Sequence, residues 1–174
     1  MAQSTNKVRS LVAALAVSAA AFGTWQTSEG FTSTAVIPTK GDVPTIGHGS
    51  THYEDGRPVR MGDVITRPRA AQLARNLMTA DERAFTASLP ADARLWQAEY
   101  DVYLDFVGQY GIGRWRQSSM RRYVAVGQYV AACDALLLYR RAAGYDCSTP
   151  GNQRCWGVWT RQLARHSACM AAQS

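Results

Sequence analysis

Cysteine is missing from residues 1–132, and the four that follow, Cys133, Cys147, Cys155 and Cys169, include no Cys-x-x-Cys pair and have no histidine at ligand spacing. That argues against a zinc site, and no metal or cofactor is expected. Charged residues are scarce at 18%, and Lys7 and Lys40 are the only lysines, so the positive charge is carried almost wholly by arginine. Arginine's planar fork suits recognition of carboxylate or phosphate better than a merely solubilising lysine surface does. No apolar run reaches the roughly 20 residues that a bilayer-spanning helix needs. There is no internal repeat and no low-complexity tract. With 47% hydrophobic residues and only four cysteines in 174, disorder, collagen-like and cystine-dense scaffold classes fall away. The length suits one domain, because a chain of this size buries roughly 70% of its unfolded surface and builds a core without metals.

The net charge of +6 is unevenly placed. Residues 1–110 hold 10 basic and 11 acidic side chains, whereas 111–174 hold 9 basic ones against Asp134 and Asp146 alone. A cationic second half attracts polyanions, whether nucleic acid, an anionic leaflet or an acidic cell wall.

Lys7 and Arg9 precede the run Leu11 to Gly23, in which Ser18 is the only polar residue and six positions are alanine. A positive n-region before an apolar run reads as an export signal. The run is short and weakly hydrophobic, so it enters a bilayer without holding firmly. Small residues from Ser18 to Ala21 are also signal-peptidase sites, which keeps ordinary cleavage open as a competing reading. An even cysteine count after an export signal points to two disulfides. Of the three possible pairings, Cys147–Cys155 closes the turn-rich loop Ser148 to Asn152, leaving Cys133–Cys169 to tie one helix to another.

From Thr32 to Thr66 the chain is rich in glycine and proline, with β-type stretches at Thr45-Ile46-Gly47 and Asp63-Val64-Ile65 and a turn at Glu54-Asp55-Gly56. A small antiparallel sheet is expected there. Helical spacing begins after Thr66, where Thr66 caps and Pro68 suits the first turn. Further helices are expected over about 93–108, 114–125, 127–143 and 156–170. The fold class is α+β: an N-terminal helix, a small antiparallel sheet and a mainly helical C-terminal lobe.

The first acid after the apolar run is Glu29, beside Gly30, which supplies a helix stop. A carboxyl at a helix end facing a small sheet is partly desolvated, which favours the protonated form that a general acid needs. Asp42 and Thr45 lie on a following turn and strand, where a carboxylate and a hydroxyl together can hold a water. Arg114, Arg116, Arg121 and Arg122 form a basic stretch that either holds wall anions or makes a solvated helix face.

At these residues the sequence resembles the phage lysozyme or endolysin family of muramidases. The match runs through Glu29-Gly30, Asp42, Pro44-Thr45-Ile46-Gly47-His48-Gly49 and Ser50-Thr51, and more loosely through Gln97 to Tyr103, Tyr110-Gly111-Ile112-Gly113 and Ser118-Ser119-Met120. The family spacing is shorter from Glu to Asp and longer from Asp to Thr, whereas here twelve and two residues intervene, and Pro38 falls at the usual Asp position. The resemblance implies a lysozyme-like fold over residues 26–174, with Glu29 as acid, Asp42 as water-activating carboxylate and Thr45 as water-positioning hydroxyl. It places His48, Tyr110 and Ser118 against substrate, with a structural role on the strand as the competing reading for His48. It implies a monomeric, periplasmic enzyme acting on peptidoglycan and not on nucleic acid. Residues 1–25 would be a signal-arrest-release segment, holding the chain to the inner membrane through residues 8–25 until release. A lytic transglycosylase, which needs Glu29 alone, and a non-enzymatic cationic membrane-disrupting or wall-binding protein are the alternatives.

Overall fold

The computed structural model describes residues 8–38 and 41–174, with the backbone alone at 28 and 29. In chain order the elements are β1 (Ser10–Leu11), a 3-10 turn (Val12–Ala14), α1 (Ala19–Glu29), β2 (Thr32–Val36), β3 (Thr45–Gly47), α2 (Arg67–Thr86), β4 (Arg94–Leu95) and α3 (Gln97–Gln117). There follow α4 (Ser119–Ala125), α5 (Tyr129–Asp134), a second 3-10 turn (Ala135–Leu138), β5 (Arg141–Ala142), β6 (Tyr145–Asp146) and α6 (Trp156–Ala171). The chain divides into two compact units, residues 17–84 and the remainder.

In the first unit, the Ser18 hydroxyl caps α1 by accepting from the Ala21 amide at 3.1 Å. Strands β2 and β3 pair antiparallel, Thr32 with Gly47 and Val36 with Thr45, with a bulge in β2 between them. The far edge of β2 bonds the segment 63–65, through Ala35 N–H to Asp63 at 3.0 Å and Ile65 N–H to Ser33 at 2.8 Å. Ala35, Ile46, Val59 and Ile65 from this sheet region bury themselves against Ala70 and Leu73 of α2. At its open end, Arg69 on α2 forks onto Glu54, both nitrogen–oxygen distances being 2.7 Å.

The second unit is built around aromatic rings. Phe85, Tyr100, Tyr103, Phe106 and Trp115 are buried, with Phe85 and Trp115 centroids 4.9 Å apart and Tyr103 and Trp115 5.2 Å apart. The Trp115 indole donates to the Ser88 hydroxyl at 2.8 Å, so its polar handle is satisfied inside the core. Disulfides join Cys133 to Cys169 and Cys147 to Cys155, the pairing expected above; cross-links of this kind typically stabilise by about 2–4 kcal/mol.

Three expectations differ from what is seen. The stretch that opens the apolar run forms a strand and a 3-10 turn instead of leading into α1, because β1 pairs with β4, Ser10 opposite Leu95 and Leu11 opposite Arg94. The helix expected over 93–108 starts only after β4 and runs on through the glycines as α3 to Gln117, broken at Gly111 (φ 79°), so the helix expected over 114–125 is divided between the end of α3 and α4. The helix expected over 127–143 stops at Asp134, and the 3-10 turn and β5–β6 hairpin take its place. No helix among the described residues is long and apolar enough to cross a membrane.

The Arg69 fork holds the Glu54 carboxyl down to about 2, from an ordinary 4.5. Because the folded value is depressed, the pair stabilises above pH 4.5 and its contribution is lost as pH falls toward 2. Both side chains are partly exposed, so the effect is at most about 1 kcal/mol. Urea titrations should therefore show Glu54→Gln less stable than the parent at pH 6 and equal to it near pH 2; a gap unchanged at pH 2 would contradict the pairing.

Candidate active site

Helix α1 ends at Glu29, with Gly30 as its cap at φ 70°. The side chain of Glu29 lies outside the described residues, as does Lys7, and the backbone defines where the acid is carried. Helix α1 is held by rings more than by an apolar face. Phe22 is buried, stacks on Trp25 at 6.0 Å and lies under the Arg75 guanidinium of α2 at 3.9 Å.

His48 follows β3 directly, and its Nδ1 lies 2.5 Å from the Gly30 carbonyl oxygen. A carbonyl only accepts, so Nδ1 carries the proton and donates. The ring is 7% exposed and sits between Phe31 at 5.8 Å and Trp25 at 6.3 Å. His48 thus ties the end of the Glu29 helix to the strand that bears Thr45. Sequence reasoning offered it a sugar contact or a structural role on the strand; the structure gives it this internal partner. The signal for that role was weak, since nothing local marks a histidine as a partner for a carbonyl 18 residues earlier.

Thr45 opens β3, and its hydroxyl donates to the Val36 carbonyl at 3.4 Å, a long bond that leaves the oxygen's acceptor sites unused by it. Asp42 is exposed in the preceding loop, where its carboxylate accepts from the Val43 amide at 3.2 Å. The acid-bearing helix end, Thr45 and His48 therefore gather within one unit through β3. Asp42 stands in a loop leading to that strand.

Tyr110 and Ser118 belong to the other unit. Tyr110 lies just before the break at Gly111; its hydroxyl accepts from Gln162 Nε2 at 2.8 Å and reaches the Tyr139 carbonyl at 3.5 Å. Ser118 is 2% exposed and caps α4, its hydroxyl accepting from the Arg121 amide at 3.1 Å. A serine directly before a helical run is an N-cap signature, but the helix expected over 114–125 runs through Ser118, and the end of α3 at Gln117 is what makes it a cap. Tyr139, which sequence reasoning passed over, lies beside it. Burial pushes its phenol up, while the charges of Arg114 and Arg122, two members of the basic stretch, pull it down. No group of three or more His, Cys, Asp or Glu gathers as a metal site among the described residues.

A glutamate ending a short helix, a Thr-Ile-Gly strand beside it and a mainly helical second unit define a lysozyme-like α+β protein. The profile of the phage lysozyme family matches residues 26–161, and the chain belongs to that family. It is accordingly a lysozyme, an enzyme that degrades peptidoglycan. The endolysin of Salmonella phage P22 is 30% identical to it over 100 residues, 58% of this chain and 67% of that protein. Among solved structures, the endolysin from Escherichia coli O157:H7 phage FAHEc1 superposes with a TM-score of 0.75 at 19% identity, covering 95% of this chain and 98% of its own. A variant of the P22 lysozyme does so at 0.70 and 24% identity, over 90% and 99%.

Gly47 governs how near β3 lies to α2. Its φ is +66°, and a Cβ there would meet the Ala70 Cβ at 2.9 Å. Gly56 has a similar φ of +82° but open space around it. Gly47→Ala should cost roughly 1–3 kcal/mol in unfolding free energy beyond Gly56→Ala, and should lower lysis as β3 shifts. Equal losses in thermal and urea unfolding would show that the close approach is immaterial.

Proposed function

We propose that this lysozyme hydrolyses the β-1,4 bond between N-acetylmuramic acid and N-acetylglucosamine and so lyses the host cell. Glu29 is the general acid that protonates the leaving sugar oxygen. Thr45 positions the attacking water, and Asp42 is the carboxylate that activates it. The observation that carries this reading is the tie from the Gly30 carbonyl to His48, which sets the end of the Glu29 helix against the strand that begins at Thr45. The enzyme acts as a monomer in the periplasm. Before release it is tethered to the inner membrane through residues 8–25, with the arginine-rich second half facing the acidic wall.

A lytic transglycosylase is the second reading, and the exposed position of Asp42 favours it. That reaction replaces the attacking water with the sugar's own hydroxyl and needs no base in this loop. Product analysis separates the two: hydrolysis leaves a reducing end and transglycosylation an anhydro end.

Glu29→Gln keeps shape and removes the proton. It should abolish clearing of outer-membrane-permeabilised bacteria while the circular dichroism spectrum is kept. Activity above about 1% of the parent would sink the assignment, because general acid catalysis commonly supplies 10²–10⁴-fold.

Asp42→Asn should cost far more activity than Asp55→Asn, a comparably exposed turn residue. Equal, mild losses in the same turbidity assay would remove Asp42 from the site.

A further inference from the structure

Glu99 is 0% exposed, yet its carboxylate is fully engaged. Arg9 donates from Nε to Oε2 and from Nη2 to Oε1, both at 3.0 Å. The Trp96 amide reaches Oε2 at 2.7 Å and Gln173 Nε2 reaches Oε1 at 2.7 Å. Gln173 also accepts from Arg9 Nη2 at 2.7 Å. The guanidinium lies 3.6 Å from the Tyr129 ring centroid and 5.1 Å from that of Trp96. An acid floor, two aromatic walls and an amide match a guanidinium in charge, fork and plane; an ammonium would match the charge alone.

The socket is built from the starts of α3 and α5 and the residues after α6, while its occupant comes from a position 90 residues away in sequence. The chain following Arg9 is bound as well. β1 pairs with β4, the Val12 amide reaches Ala93 at 2.9 Å, Arg94 donates to the Arg9 carbonyl at 3.2 Å and Gln97 to the Ala16 carbonyl at 2.8 Å. Val12 is buried.

This occupant is the segment whose positive charge and apolar run mark it for export. Residues 8–16 cannot pair with β4 and lie in a bilayer at the same time. We propose that the Glu99 socket is a binding site for the chain's own N-terminal segment and competes with the inner membrane for it, so that capture of Arg9 holds the released enzyme off the bilayer. The proposal rests on the tethered reading given above. Withdrawing Arg9, into a membrane or by cleavage near Ala20, leaves a buried carboxylate without its cation, a state disfavoured in any low-dielectric setting. The socket therefore favours keeping the segment over discarding it.

Two substitutions break the latch without changing the charge that the membrane meets. Glu99→Gln lies outside the apolar segment, and Arg9→Lys keeps the n-region positive. Full-length protein is expressed, the membrane potential is collapsed with an uncoupler, and soluble and membrane fractions are compared. Glu99→Gln should lower the soluble-to-membrane ratio by about tenfold, the scale of losing a hydrogen-bonded charge pair, and Arg9→Lys, which keeps the charge but loses the fork, by about threefold. In soluble protein, hydrogen exchange at the Val12 amide should quicken by a similar factor. A tethered parent whose partition and Val12 exchange ignore both substitutions overturns the socket. A parent wholly soluble before depolarisation overturns the tethered reading and, with it, the competition. If Glu99→Gln fails to fold, Arg9→Lys, which leaves the Trp96 and Gln173 bonds to Glu99 intact, decides the matter.

Discussion

A carboxylate without access to water must find its counter-charge and its donors within the protein, and Glu99 gathers two distant stretches of chain, besides the start of its own helix, to do so. It begins α3 by accepting from the Trp96 amide, it fixes Arg9, and it holds Gln173 beyond α6. Burial, with the Glu99 charge added to it, pushes up the phenol of neighbouring Tyr103. That hydroxyl lies 3.4 Å from the Cys169 sulfur. The helical unit is thus organised about a satisfied charge as much as about its aromatic core.

The other unit is organised by close approach. β3 can lie against α2 because Gly47 has no Cβ, and the strand so placed carries Thr45 at one end and leads into His48 at the other. Through His48 and the Gly30 carbonyl, that placement reaches the end of α1. The helix bearing the acid has few buried side chains of its own. Its position comes from its cap at Ser18, the bond from the Val17 amide to Glu82 at 2.5 Å and the Arg75–Phe22 stack.

What could be read from the sequence is what leaves a local or periodic mark. The long helices α2 and α6, the turn at Glu54 to Gly56, the cystine loop and the Glu-Gly and Thr-Ile-Gly signals of the site all do so. The socket leaves none, since Arg9 looks like an export charge and Glu99 like the third residue of a helix, and only folding joins them. The opening of the apolar run forms a strand and a turn for the same reason: alanine and valine suit either as readily as a helix, and pairing with β4 decides the outcome. The run Leu136-Leu137-Leu138 extends the apparent helix 127–143, but the positive φ values of Ala143 (49°) and Gly144 (82°) bend the chain into a hairpin there. In the helical unit, Ser118 caps α4, a role hidden in the sequence by the helix expected over 114–125.

The Cys133–Cys169 bond has a consequence for timing. It ties α5 to α6 at the point where Gln173, which bonds both Glu99 and the Cys169 carbonyl, completes the cluster. A thiol pair closes only where an oxidant is at hand. The bracket behind Gln173 is therefore added by chemistry outside the chain, after synthesis. In reducing surroundings α6 keeps its ion pairs from Arg161 and Arg165 to Asp105 of α3 but loses its covalent tie to α5, so the surroundings decide how firmly Gln173 is held beside Glu99.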